Sequence, residues 1–135
     1  MSEACAQAAG QPTDIAVCAY VKSSVNPHPQ LLLAPAVAIP SALAKAGLSL
    51  DDIDVFEIHE AFSAQVLATL ACLESDDFSR DWLPAEFGGK AVGTIPREKI
   101  NPNGSSIGKP HSAVAGVVGG CSAPPSSLVP CAAQL

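Results

Sequence analysis

The stretch from Ile53 to Phe62 constrains this chain more than any other. A largely apolar run, Ile-Asp-Val-Phe-Glu-Ile over 53–58, passes without a spacer into His59-Glu60-Ala61-Phe62. Apolar residues then recur at Ala61, Phe62, Val66, Leu67, Leu70 and Leu73. That spacing is the period of a helix that buries one face. The segment therefore predicts a short buried strand over 53–58, central in its sheet, followed by a helix over 60–73. Where such a strand gives way to a helix, polar side chains can point into a cleft, and the first free N–H groups favour negative charge. His59 and Glu60 stand at that junction. By residue type alone, His59 reads first as a histidine near a helix N-cap with a structural hydrogen bond. Glu60 reads equally as an ordinary first-turn acid or as a group that stabilises the helix N-terminus and orients His59.

The rest of the chain arranges itself around this junction. Residues 1–13 are small and polar and read as a disordered lead-in. Asp14 to Val21, rich in Ile, Val, Cys and Tyr, reads as a strand. Pro27 and Pro29 make 23–29 a loop. A helix is expected over about 35–46 with Gly47 as its C′ residue, and Pro40 implies either a start near Ile39 or a kink there. The acidic stretch 74–81 suggests a short helix or turn, and Phe87-Gly88-Gly89 a loop. Alternation of strand and helix points to an α/β layer. Beyond Gly108 the pattern is lost: 112–135 holds no charged residue, three prolines and no sustained period. It reads as an irregular tail that takes no part in the folded domain.

Composition excludes several classes of function. With 135 residues and 48% apolar content the chain suffices for one modest core. The net charge of −6 gives no means of neutralising a run of phosphates, so nucleic acid is not an expected partner. No run of 18 apolar residues predicts a membrane span, and the N-terminus does not read as a secretory signal. The five cysteines, 5, 18, 72, 121 and 131, have neither C-x-x-C nor metal-ligand spacing. They suggest reduced thiols in a cytosolic-type compartment, with no resident metal or cofactor. A cytoplasmic location is the expectation, and the mitochondrial matrix or peroxisome also fits.

Two motifs add a resemblance. Leu-Ser-Leu-Asp-Asp-Ile-Asp-Val-Phe-Glu-Ile-His-Glu-Ala-Phe-Ser-Ala-Gln over 48–65 is similar to the C-terminal domain of thiolases. It is most similar to the branch that includes the β subunit of the trifunctional fatty-acid oxidation complex. Ile-Asn-Pro-Asn-Gly-Ser-Ser-Ile over 100–107 resembles that family's Asn-x-Asn-Gly-Gly loop, and 31–47 resembles the helix preceding the first motif. The resemblance covers 14–108. It implies a partial thiolase-like α/β fold and an acyltransferase reaction of fatty-acid β-oxidation, 3-ketoacyl-CoA plus CoA giving acyl-CoA plus acetyl-CoA. Coenzyme A is then a substrate rather than a cofactor. The resemblance also implies that His59 helps form the oxyanion hole for an enolate, with Glu60 in support. A neutral imidazole N–H suits that task. Asn103 and Gly104 are implied to border the substrate, although a plain Asn-Gly turn is the simpler reading of the dipeptide.

The departures from the family pattern are as informative. Ser105 stands at the loop's second glycine. Gly108-Lys109-Pro110 stands near where the family has Gly-His-Pro, so Lys109 replaces the histidine base, and His111 lies two residues further on. No cysteine matches the nucleophile, and Cys121 follows its glycines where the family's second cysteine precedes them. The pattern predicts a truncated or frame-shifted thiolase segment, divergent after 108 and inactive alone. The alternatives are one chain of a split thiolase, completed by a separate N-terminal-domain chain or by a thiolase-like homo-oligomer, and a non-catalytic acyl-CoA- or protein-binding module.

Overall fold

The computed structural model describes residues 1–105 throughout and, beyond them, the backbone of two short strands. In chain order these residues form α1 (Glu3–Ala8), the single turn α2 (Pro27–Gln30), α3 (Ala34–Ala46), β1 (Val55–Glu57), α4 (Ser63–Leu73), α5 (Asp76–Trp82), β2 (Val117–Gly120) and β3 (Cys131–Ala133). The three strands form one antiparallel sheet in the order β1-β2-β3, with Phe56 opposite Gly119 and Val118 opposite Ala132. The outer side of β1 carries a one-residue parallel bridge to Ile100. Helices α3 and α4 pack against each other and cover the core.

β1 has three residues and buried neighbours beyond each end. Ile53 and Ile58, which flank it, are each 1% exposed, and they join Phe56, Leu43, Leu50, Leu70, Leu73 and Ile95 in one apolar cluster. The expectation of a buried strand over 53–58 therefore holds. Its expected central position does not: β1 ends the sheet order, and the Ile100–Asn101 segment lies along its free side.

The helix over 35–46 is observed as α3, which begins at Ala34 rather than near Ile39 and carries the buried Pro40 in its interior. Pro40 removes the donor that the Ala36 carbonyl would have used. α3 ends at Gly47 in the left-handed region, φ 70°, where the Leu48 N–H returns to the Leu43 carbonyl at 3.0 Å. α4 starts three residues later than the sequence suggests. Its buried face is Gln65, Val66, Thr69, Leu70 and Leu73, while Phe62 is 62% exposed. α5 forms in the acidic stretch, capped by Ser75 Oγ, which accepts the Phe78 N–H at 3.1 Å.

Four further expectations differ from the structure. Residues 14–21 form no strand. Ile15 and Val17 are 75% and 69% exposed, and only Ala19 reaches the core. β-branched composition favours a pleated, half-buried surface, and no described strand pairs with this backbone. The lead-in read as disordered contains α1, capped by Ser2 Oγ. The loop at 23–29 runs into α2, where Asn26 Oδ1 accepts the His28 N–H and Pro27 opens the turn. The tail read as irregular contributes β2 and β3 to the sheet. Lys109 and His111 lie outside the described residues.

Two outcomes follow from this packing. Replacing Ile53 with Ala removes fully buried methyl groups and should cost about 2–5 kcal/mol, whereas Phe62→Ala should fall within about 0.5 kcal/mol. Urea unfolding of both variants measures the contrast, and equal losses would contradict the burial pattern. The second concerns Asp52, whose Oδ2 accepts the Ser49 N–H at 2.8 Å and its hydroxyl at 2.7 Å. The backbone bond first, then the hydroxyl bond, holds this carboxyl below its ordinary value of 3.8. A lowered folded-state value stabilises above the unfolded value and is lost as pH falls through the folded one. The midpoint of the acid-induced movement of the Ser49 amide resonance should accordingly lie below pH 3.8. In Asp52→Asn that acid-induced movement should vanish.

Candidate functional site

The site is the connection between β1 and α4, residues 58–62, and the segment 99–105 that folds back onto it. After Glu57 the chain stays extended, and Phe62, with φ −147° and ψ 143°, is the last residue before the helix. His59 and Glu60 thus lie in an extended link rather than in the first helical turn. No side chain caps α4.

Asn101 holds this link. Its backbone sits in the left-handed region, φ 48°, which asparagine tolerates better than most residues. Its N–H donates to the Phe56 carbonyl at 2.8 Å. Its side-chain Oδ1 accepts the Ile58 N–H at 2.7 Å, and Nδ2 donates to the Ile58 carbonyl at 2.9 Å. The second Nδ2 proton goes to Glu60 Oε1, also at 2.9 Å. Only one orientation of the amide satisfies an N–H, a carbonyl and a carboxylate together, so the network itself fixes which atom is oxygen. Ser105 Oγ adds a second donor to the Ile58 carbonyl at 3.0 Å, and Lys99 Nζ donates to the Ile53 carbonyl at 2.6 Å.

The carboxylate of Glu60, expected at the helix N-terminus, is therefore committed to Asn101. Asn103 and Gly104, the loop residues singled out in the sequence, are exposed. They complete a tight turn in which the Gly104 N–H returns to the Asn101 carbonyl at 2.8 Å, with Gly104 at φ 77°. This matches the simpler reading of an Asn-Gly turn. Asn101 was missed because both asparagines of Asn-x-Asn-Gly look alike in sequence. Its position directly after the apolar Ile100 was the only signal.

His59 is half-buried and lines a hollow of ≈ 190 Å³ with Leu32, Ala34, Pro35, Ala61 and Gln65. The walls come from the start of α3 and the first turn of α4 and are almost wholly apolar. Gln65, 8% exposed, has a buried Oε1 with no donor among the described residues. Glu60 lines a different hollow of ≈ 290 Å³ with Ser63, Val66, Leu67 and Arg97. The two neighbours thus serve separate spaces. A larger hollow of ≈ 540 Å³, between α1 and residues 12–17, contains no residue of this site.

No described cysteine lines the His59 hollow. Cys72, on α4, is half-buried, and burial pushes its thiol up from the ordinary value, opposite to what a nucleophilic thiolate needs. Among the described residues no three His, Cys, Asp or Glu side chains gather in a way that could hold a metal ion. No described helix is long and apolar enough to cross a membrane.

With this geometry in place, similarity to known proteins becomes informative. Residues 12–120 match the family model "Thiolase, C-terminal domain". A probable 3-ketoacyl-CoA thiolase from Caenorhabditis elegans is 47% identical over 92 residues, covering 68% of this chain and 20% of that protein. The mitochondrial trifunctional enzyme subunit beta of Bos taurus is 47% identical over 93 residues, covering 68% of this chain and 19% of the relative. A 3-ketoacyl-CoA thiolase from Aliivibrio fischeri is 38% identical over 92 residues, covering 68% and 20%. The chain spans about a fifth of the length of these relatives.

The raised Cys72 thiol yields a direct expectation. At pH 8, iodoacetamide should alkylate the exposed Cys5 and Cys18 before Cys72, as read by peptide mass spectrometry. Cys72 reacting first would make it an activated thiol and reverse this assignment.

Proposed function

We propose that this chain, which belongs to the thiolase family by its C-terminal domain, supplies the oxyanion-donating side of an acyl-CoA site and has no turnover of its own. The family reaction, thiolysis of a 3-ketoacyl-CoA by CoA in fatty-acid β-oxidation, needs a thiolate nucleophile and a donor for the oxygen on which charge develops. His59 is the residue suited to the second task. The observation that carries this reading is a half-buried imidazole beside an apolar hollow, with the residue on either side of it bonded to Asn101. Apolar walls strengthen a hydrogen bond to a developing enolate, because water that would compete for it is excluded.

The roles divide accordingly. His59 donates to the thioester-derived oxygen. Glu60 steadies the link through Asn101 and does not touch substrate from the hollow it lines. The exposed turn at Asn103 and Gly104 offers backbone to the CoA portion. The nucleophile and the general base are left to other residues: Cys72 is tuned the wrong way, and a lysine, Lys109, stands near where the family pattern has its histidine base.

A second reading, one chain of a split thiolase, is favoured by the exposed Phe62, just before α4, and by Leu67, 49% exposed on α4. Large exposed apolar side chains beside the site fit a partner chain better than solvent. Several relatives are named as the beta subunit of a mitochondrial trifunctional enzyme. The reduced-thiol compartment suggested by the cysteines is, on this reading, mitochondrial, and 14–108 is the working segment.

Two measurements test the proposal. The purified chain should bind acetyl-CoA, and His59→Ala should weaken binding about five- to tenfold, the size of one hydrogen bond in a shielded site. Equal affinities would remove His59 from the site. The same chain should not cleave a 3-ketoacyl-CoA. Turnover abolished by a single Cys→Ser change would identify a nucleophile and overturn the inactivity.

A further inference from the structure

Asn101 touches neither hollow, yet it bonds to the residues immediately before and after His59. On one side its amide takes both backbone polar groups of Ile58, as a neighbouring strand would. On the other it holds the Glu60 carboxylate. The chain between these two anchors is a single residue, and that residue is His59. Fixing Ile58 sets the direction in which the chain enters His59, and fixing Glu60 sets the direction in which it leaves. Within that frame the imidazole's direction depends on its two side-chain torsions.

We propose that Asn101 is the positioning residue of this site: its carboxamide, with Ser105 Oγ as second donor on the Ile58 carbonyl, sets the direction in which the His59 imidazole faces the apolar hollow. The inference rests on the reading of His59 as the donor to an acyl-CoA oxygen. Its chemistry is specific to a carboxamide. The contact to Ile58 N–H requires an acceptor, and the contacts to Ile58 C=O and Glu60 require two donors on one nitrogen. Aspartate keeps the first function and lacks the second. A carboxylate there sets two like charges where the 2.9 Å bond to Glu60 now stands.

The test follows the His59 ring by NMR in the full-length chain, with the three histidines distinguished by replacement. Hydrogen exchange at the Ile58 and Leu70 amides is measured alongside. In Asn101→Ala the His59 ring signals should shift or split, and Ile58 protection should fall roughly tenfold. Leu70, in the middle of α4, should stay within about twofold, as expected for a change local to the link. Asn101→Asp should displace the His59 signals while leaving Ile58 protected. Combining it with Glu60→Gln reverses donor and acceptor across the same contact and should bring the signals partway back. Asn103→Ala, two residues along the loop, should leave them where they are.

Unmoved His59 signals in both Asn101 variants would overturn the inference. So would loss of Leu70 protection in step with Ile58, because Asn101 would then serve the fold as a whole. Acetyl-CoA added to the unsubstituted chain separates the two proposals. Silence at His59 in that titration counts against the acyl-CoA site and leaves the positioning result intact.

Discussion

The pairing of the Asn101 carboxamide with both backbone groups of Ile58 is the contact on which this site depends. β1 has three residues, too few to fix the geometry of the chain beyond it. Asn101 extends the strand by one step using a side chain in place of a backbone. Each such bond contributes about 0.5–1.5 kcal/mol net, but an orphaned polar group next to a side chain as buried as Ile58 costs about 1–3 kcal/mol. That asymmetry explains why the arrangement is closed on every side. The Ile58 N–H, both protons of Asn101 Nδ2 and both lone pairs of the Ile58 carbonyl all have partners.

The late start of α4 follows from the same contact. A glutamate three residues before a helix would ordinarily stabilise free N–H groups. Here the carboxylate of Glu60 is drawn sideways to Asn101, and the chain stays extended through Phe62 before it coils. The cost is an uncapped helix. The gain is that His59 is held in an extended link, where its side chain can border the hollow instead of following the helical path. Phe62, expected within the apolar face of the helix, is left outside it by the same delay.

What could be read from the sequence was what local chemistry decides. The buried strand around Phe56, the termination of α3 at Gly47 and the amphipathic character of 63–73 all follow from spacing and residue type. What could not be read depended on partners distant in the chain. Residues 14–21 have the composition of a strand, but a strand exists only where another backbone pairs with it. The choice of Asn101 over Asn103 depends on a left-handed backbone and on a bond spanning 43 residues to Ile58, neither of which a dipeptide pattern encodes. His59 was legible as a candidate; the hollow that gives it meaning was not, because Leu32 and Pro35 come from a different part of the chain.

Ser105 carries the argument one step further. The resemblance to thiolases expects glycine there, and a glycine would leave the Ile58 carbonyl with one donor, Asn101 Nδ2. The hydroxyl supplies the second and ties the far end of the turn to the strand across 47 residues. A loop held at Lys99, Asn101 and Ser105 gives up freedom that a glycine-rich loop would keep for closing on a ligand. The same three contacts tie the loop to Ile53 and Ile58, on the strand side of His59. Donors fixed in advance stabilise developing charge without reorganising at the moment it appears. On the proposed reading, in which the segment lacks its own nucleophile, holding an acyl-CoA oxygen is the part of the family reaction left to these residues.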